Sequence, residues 1–393
     1  MRIDRRKRLG LLAAAIALPI ALASPVQAEA AESNFATIAN FDGNDESAPA
    51  ALTPFTDGAF YGVAGSGPGV LNDGVVFRFD PASNLLTMLY AFDGTAGAFP
   101  QGRVVLGPSG AIFGVTYLYG SAGGGTVFEY RPATQVMKVL HAFTSGRDGG
   151  NPAGGLTFGR NGFLYGVTQH GGAFNYGTVF RINPVTGVLT TLHAFNGTDG
   201  EAPTGSLSLS PDGNLYGTTS VTLQSYPGTI FRVAPKTGQV TTLLRFPVAA
   251  LAESGNLAVD KSGNLFDPRG DLAGATRGLI LEFVPATRKL SSVKIFDTQN
   301  GDYPTGSLLL DPVGNIFGAT WGGGQFGNGT LFEIGSAHHL MSVLYSFNTG
   351  LPAFQGAPTL SLRFGPGGSL LGTTAEGGYY GYGTIYQFTP GSQ

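Results

Sequence analysis

The chain has 393 residues, 63 of them glycine and none cysteine, with a formal net charge of −3. Lacking cysteine, it has no disulfides and no thiolate metal sites. With no basic run beyond its first eight residues, it offers no footprint for nucleic acid. Glycine at about twice its usual share, without a three-residue period, excludes collagen, and the regular recurrence of Val, Leu, Ile and aromatic residues excludes disorder.

The N-terminus reads as a secretory leader. Arg2, Arg5, Arg6, Lys7 and Arg8 precede an apolar run from Leu9 to Ala23, and Val26-Gln27-Ala28 follows. A basic start, a short apolar stretch and small residues at the cleavage positions predict removal after Ala28. The apolar run is short for a bilayer span of about 20 residues. Taking Arg2, Arg5, Arg6, Lys7, Arg8 and Asp4 from 22 basic and 25 acidic residues leaves 17 and 24. Residues 1–28 are thus expected to be a signal peptide and 29–393 one exported domain, held by burial alone.

Beyond the leader, a unit of about 51 residues repeats. Its clearest marker is a phenylalanine closing a strand-like run: Phe41, Phe92, Phe143, Phe195, Phe246, Phe296 and Phe347. Repeats of this length override a domain count based on length. The next marker falls beyond Gln393, so the last unit lacks its final strand and the segment 35–41 is the strand that completes it.

The third unit is the cleanest. Leu156–Phe158 reads as a strand, Arg160-Asn161-Gly162 as a hairpin turn and Phe163–Thr168 as a second strand. A Gly-rich loop follows from Gln169 to Tyr176, then a strand from Gly177 to Ile182. Pro184–Gly187 is a turn, Val188–Phe195 a fourth strand and Asn196–Gly205 a polar linker. An aromatic–Gly pair or a variant ends the second strand of each unit, and Gly74, Gly125, Gly177, Gly228, Gly278, Gly329 and Gly383 open the third. The pattern predicts an all-β chain: a seven-bladed β-propeller of four antiparallel strands per blade, closed by the N-terminal strand.

The blocks Leu215–Thr219, Gly177–Phe180, Thr190–Phe195 and Asn196–Pro203 resemble the GloVer-type tandem repeat of bacterial secreted proteins. The resemblance spans nearly all of the mature chain. It implies export and a propeller-like repeat fold, with no common activity. Many relatives carry a C-terminal sorting or anchoring segment. This chain ends at TPGSQ, so free secretion or periplasmic residence is expected.

Loops between second and third strands share a face with the interblade linkers and are where function is expected. They hold Tyr117 and Tyr119; His170, Phe174 and Tyr176; Tyr226; Trp321, the sole tryptophan, and Phe326; and Tyr379, Tyr380 and Tyr382. Aromatic faces beside Gly, Asn and Gln suit sugar rings; the bland alternative is that the rings cap the blades. The fifth unit departs from the pattern: Phe266-Asp267 replaces aromatic–Gly, and Asp267, Arg269, Asp271 and Arg277 bring charge to that face. Either a polar site or a surface ion pair on a degenerate repeat results.

His141 and His193 share one repeat position with Tyr90 and Tyr345 and read as packing; His338-His339 lies in a turn on the opposite face. His170 is the one histidine in an upper loop, with no serine or carboxylate motif beside it. The linker acids Asp42, Asp45, Glu46, Asp93, Asp148, Asp199, Glu201 and Asp302 read as Asx-type turns, with a Ca²⁺ site as the alternative and Phe41–Ser47 its best location. No cofactor is expected otherwise.

Together these readings predict a secreted, monomeric binding module without a membrane span in the mature chain. It takes polysaccharide or a partner protein through Tyr119, His170, Tyr176, Tyr226, Asp267, Arg269, Trp321, Phe326 and Tyr380. The alternatives are an extracellular polysaccharide lyase or glycoside hydrolase, using Asp267, Arg269 and His170, and a purely structural envelope protein. No catalytic residue is assigned.

Overall fold

In the third unit, strands Gly150–Phe158, Leu164–His170, Thr178–Ile182 and Leu189–Ala194 pair antiparallel in chain order. The first two meet at a turn where Gly162 adopts φ 80° and its N–H donates to Gly159 O at 3.0 Å. In the last turn Asn183 Oδ1 accepts the N–H groups of Val185 and Thr186 at 2.9 and 3.1 Å. Short polar side chains that bond to nearby backbone favour such reversals. These are the coordinates of a computed structural model, which describes residues 34–42, 49–65, 73–220, 228–246, 256–270, 277–336, 340–348 and 358–390.

The same four-strand order recurs along the chain. The first unit is Thr53–Pro54, Phe60–Ala64, Val75–Asp80 and Leu85–Ala91; the second is Ala98–Leu106, Ile112–Leu118, Thr126–Arg131 and Val136–Ala142. The fourth is Ser208–Leu209, Leu215–Thr219, Thr229–Ala234 and Gln239–Arg245; the fifth is Ala258–Val259, Leu265–Arg269, Leu279–Val284 and Lys289–Ile295. The sixth is Asp302–Leu310, Ile316–Gly322, Thr330–Ile334 and Met341–Ser346. The seventh pairs Pro358–Phe364, Leu370–Thr374 and Thr384–Phe388, and the N-terminal strand Phe35–Asn40 lies antiparallel beside the last of these, with Phe35 opposite Phe388. A parallel bridge from Ser307 to Ser361 joins the sixth and seventh into one eight-stranded sheet.

Two boundaries differ from the sequence reading. The first strand of the third unit starts at Gly150, inside the expected linker, because Gly150 and Pro152 pair with His170 and Thr168 before the register shifts ahead of Thr157. Glycine and proline hide the period-2 signal of that stretch. For the same reason His170 ends a strand and does not belong to the loop after it.

Packing between units follows one rule. Gly62, Gly114, Gly166, Gly217, Gly318 and Gly372 lie directly opposite Phe77, Phe128, Phe180, Phe231, Phe332 and Tyr386. A Cβ at any of these glycines would overlap the facing ring. Onto that ring the marker phenylalanine of the preceding unit packs edge-on: Phe92 on Phe128 at 5.3 Å, Phe143 on Phe180 at 5.2 Å, Phe195 on Phe231 at 5.3 Å. Each fully buried ring contributes about 1.5–3 kcal/mol over its exposed state, and edge-to-face geometry adds to this. Every apolar cluster bridges two consecutive units, and one bridges the seventh and first through Ile38, Phe41, Leu371 and Ile385 against Leu52, Phe60 and Phe77. No helix among the described residues is long and apolar enough to cross a membrane.

Candidate functional site

The loops between second and third strands are built alike in four units. In 119–125, 171–177, 323–329 and 377–383 the N–H of the last residue donates to the carbonyl of the first, at 3.0–3.1 Å. Gly120, Gly172 and Gly324 donate to Gly94, Gly146 and Thr298 of the linkers, so loop and linker form one surface. In the last unit Tyr379 N–H donates to Asn40 Oδ1 at 2.9 Å, using the N-terminal strand in the linker's place.

Beneath the loops a threonine pair joins second and third strands. Thr116–Thr126, Thr168–Thr178, Thr219–Thr229, Thr320–Thr330 and Thr374–Thr384 have hydroxyl oxygens 2.8–3.0 Å apart, all buried. Each first threonine also accepts the backbone N–H of its partner residue, at 2.9–3.1 Å.

This frame fixes where the rings project. Phe174, Phe326 and Tyr380 occupy the same loop position, and they are 57%, 45% and 43% exposed. In the second unit Ala122 holds that position. There the ring comes from Tyr119, exposed and at φ 62°, where the other three loops have glycine at φ 74–85°. A tyrosine in the left-handed region is strained, and such strain concentrates at functional positions. Trp321 is 61% exposed near the end of its strand, two residues before the loop that carries Phe326. Its repeat counterparts Tyr117 and Gln169 are joined by a 2.9 Å hydrogen bond from the phenol to Oε1. Tyr379 and Tyr380 meet edge-on at 4.9 Å; among the described residues no ring stacks on Tyr119, Phe174, Trp321 or Phe326.

Other expected site residues lie elsewhere. Tyr176 is half-buried against the cluster shared by the third and fourth units. His170 is exposed at the end of its strand. Tyr226, Asp271 and His338-His339 fall outside the described residues, as do Asp45 and Glu46.

Asp267 and Arg269 correct the sequence reading most. Expected on the loop face, they sit in the strand Leu265–Arg269 and are 0% exposed. Asp267 takes the glycine position, opposite Leu281, which has no ring to occupy the space. Arg269 Nε donates to Asp267 Oδ2 at 2.7 Å, while Asp267 Oδ1 and Arg269 Nη1 and Nη2 have no hydrogen-bond partner among the described residues. Burial raises the Asp267 carboxyl above its usual range, opposed by the Arg269 charge. Arg277, by contrast, is exposed, 3.7 Å from Asp302.

Three linker acids, Asp93, Asp148 and Asp199, accept from nearby backbone N–H groups, whereas Asp302 Oδ1 is buried without a hydrogen-bond partner among the described residues. Asp93 Oδ1 accepts from Thr95 N and Oγ1 at 2.9 and 2.6 Å, and these bonds hold its pKa down. Asp148 accepts from Thr144 N at 3.0 Å and from the Thr144 hydroxyl, with His141 Nε2 also at 3.0 Å. Burial raises the Asp148 carboxyl, but these bonds outweigh it and leave it below the usual value. His193 and Asp199 repeat the pair at 2.8 Å. The signal for it, a histidine two residues before the marker and an aspartate in the linker, was present in the sequence. Among the described residues no cluster of three His, Asp or Glu side chains is placed to hold a metal ion.

This architecture is an all-β, propeller-type fold. In fold it is similar to a catalytically inactive virginiamycin B lyase from Staphylococcus aureus, with TM-score 0.61 and 12% identity over 91% of this chain and all of that one. It is also similar to an oligogalacturonate lyase in complex with manganese, with TM-score 0.59 and 13% identity over 91% and 93% of the two chains. The Pseudomonas aeruginosa periplasmic gluconolactonase gives TM-score 0.56 and 18% identity over 79% and 86%. At these identities the likeness concerns the fold alone. No curated protein matches the sequence. The chain belongs to the Gloeobacter/Verrucomicrobia repeat family, which residues 26–220 and again 205–393 match.

Proposed function

We propose that this chain is an exported, seven-bladed propeller, closed by its N-terminal strand, that binds polysaccharide through rings on its loop face. Support for the closed ring comes from the pairing of Phe35–Asn40 with Thr384–Phe388 and from the apolar cluster shared by the last and first units. Support for export comes from the leader pattern, and the fold is shared with a periplasmic lactonase.

The observation that carries the binding reading is the presentation of exposed rings by four loops of the same build: Tyr119, Phe174, Phe326, and Tyr380 with its neighbour Tyr379. Core packing would bury them. Rigid loops holding apolar faces in water, flanked by glycine, Asn175 and Asn328, suit the C–H faces of successive sugars while polar neighbours meet hydroxyls. Trp321, exposed two residues before the loop of Phe326, adds a further ring. Asp267 and Arg269, sealed from solvent, position the fifth unit and do not touch ligand.

A glycan-array screen of residues 29–393, with and without calcium, tests this. Selective binding to one polysaccharide class, weakened about tenfold or more by Phe326→Ala or Trp321→Ala with unchanged melting, is expected. Binding that survives both substitutions removes these rings from the site. The catalytic alternative draws on the fold shared with lyases and a lactonase; product release from the bound polysaccharide, lost in His170→Ala, would favour it.

A further inference from the structure

First strands of successive units run side by side and line a cavity of about 290 Å³. One register position along its wall is held by Gly155, Ser206, Asn256 and Ser307 in four successive units. Gly155 N–H donates to Ser206 Oγ at 2.7 Å, Ser206 N–H to Asn256 Oδ1 at 2.6 Å and Asn256 Nδ2 to Ser307 Oγ at 2.8 Å. These bonds stitch adjacent units together. Both serine hydroxyl oxygens accept, and neither hydroxyl proton has an acceptor among the described residues.

Into this neutral wall the second and seventh units introduce Arg103 and Arg363, which line the same cavity. Arg103 stands at the register position that the other units fill with small neutral residues. No carboxylate lines the cavity, and neither arginine forms an ion pair among the described residues. Among the described residues Arg103 Nε is buried without a hydrogen-bond partner, and Arg363 Nη1 donates to the Leu362 carbonyl at 2.8 Å. Burial lowers the Arg103 pKa; burial together with repulsion from Arg103 pushes Arg363 down to about 10. The guanidinium group is too basic to lose its proton inside a protein, so both side chains carry charge. Two partly buried like charges lining one cavity without a counter-charge are unfavourable unless an anion joins them.

We propose that this cavity binds a small oxyanion, a carboxylate or a phosphate, between Arg103 and Arg363. The planar guanidinium fork matches the oxygens of either group. The hydroxyls of Ser206 and Ser307 complete the donor set. The volume lies at the low end of ligand sites, roughly 300 Å³, and limits the ligand to few heavy atoms. This inference stands apart from the loop-face rings and does not rest on them.

Isothermal titration of residues 29–393 with sodium phosphate, and separately with sodium acetate and sodium galacturonate, tests it at ionic strength held constant with chloride. Saturable binding of at least one probe is expected, and the arm that binds distinguishes phosphate from carboxylate. Arg103→Met and Arg363→Met should each weaken it about tenfold or more, while exposed Arg160→Met leaves it unchanged. Without anion, both cavity variants should melt no lower than the parent. Absence of binding beyond chloride, or equal affinity in all three variants, overturns the proposal. Should a cavity variant fail to fold, the Arg103 Nε–H resonance of the parent protein provides the readout. It shifts on adding the bound probe if the site exists, and an unmoved signal at saturating probe overturns the proposal.

Discussion

The guanidinium carbon of Arg269 lies 3.8 Å from the centroid of the Phe246 ring, in the place that an aromatic ring takes at the six other contacts between units. Elsewhere the marker phenylalanine meets a ring that covers a glycine. In the fifth unit the ring is Leu281 and the glycine is Asp267, so the opened space holds an ion pair and a cation–π contact. Three substitutions that look independent in the sequence are one repacked site.

Removing Arg269 alone leaves a buried carboxylate. Arg269→Met is expected to destabilise by about 3–5 kcal/mol at pH 7. The folded-state pKa of Asp267 lies above 3.8, so the folded form holds the proton more tightly and ionisation erodes stability as pH rises past 3.8. The deficit of the variant should therefore shrink toward pH 4. The triple change Asp267→Gly, Arg269→Ala, Leu281→Phe restores the packing of the first unit, where Gly62 faces Phe77 and Ala64 faces Val75, and should equal or exceed the parent. Urea midpoints at pH 4 and 7 check both.

Asp148 behaves with the opposite sign. Its pKa is held below 3.8 in the folded state, so its contribution is full above that value and is lost as pH falls below it. Asp148→Asn should cost about 1.5–3 kcal/mol at pH 7, the range for hydrogen bonds to a charged group, and progressively less below pH 3.8. Thermal unfolding across pH 2.5–7, with these limits set around the ordinary carboxylate range of about 4, measures it.

Thr168 Oγ1, buried beneath the loop, accepts Thr178 N–H at 3.1 Å and donates to His170 O at 2.9 Å. Thr168→Val keeps the shape and leaves these groups unpaired. A loss of about 1–3 kcal/mol is expected, with the 171–177 loop gaining amide exchange. Hydrogen exchange by mass spectrometry reads the loop directly.

Deleting residues 29–41 removes Phe35, which stacks on Tyr345 at 4.1 Å, and Phe41, which packs on Phe77 at 5.3 Å. It also bares the edge of Thr384–Phe388. An open edge and two exposed apolar clusters predict aggregation or failure to fold, scored by soluble yield and size-exclusion profile. A deletion variant that stays monomeric and equally stable would separate the N-terminal strand from the fold.

Much of the strand pattern was legible in the residues. The marker phenylalanines, the aromatic–Gly pairs and the Asn-Gly turns act over a few residues, so they read directly. Tyr119 was legible as a loop aromatic, though its left-handed backbone was not. The Gly-Pro stretch from Gly150 to Ala153 was misread as linker because its pairing comes from a neighbouring strand and not from alternation.

Sequence by itself determined the four-strand unit, its order and the identity of the residues at each contact, because glycine, β-branched and aromatic residues impose their preferences locally. Tertiary structure decided burial and company. Asp267 and Arg269 enter the core because Leu281, paired across the sheet, leaves them room. Arg103 and Arg363, about 260 residues apart in the chain, line one cavity because the first strands gather side by side. Such meetings depend on packing between units, which no local pattern records.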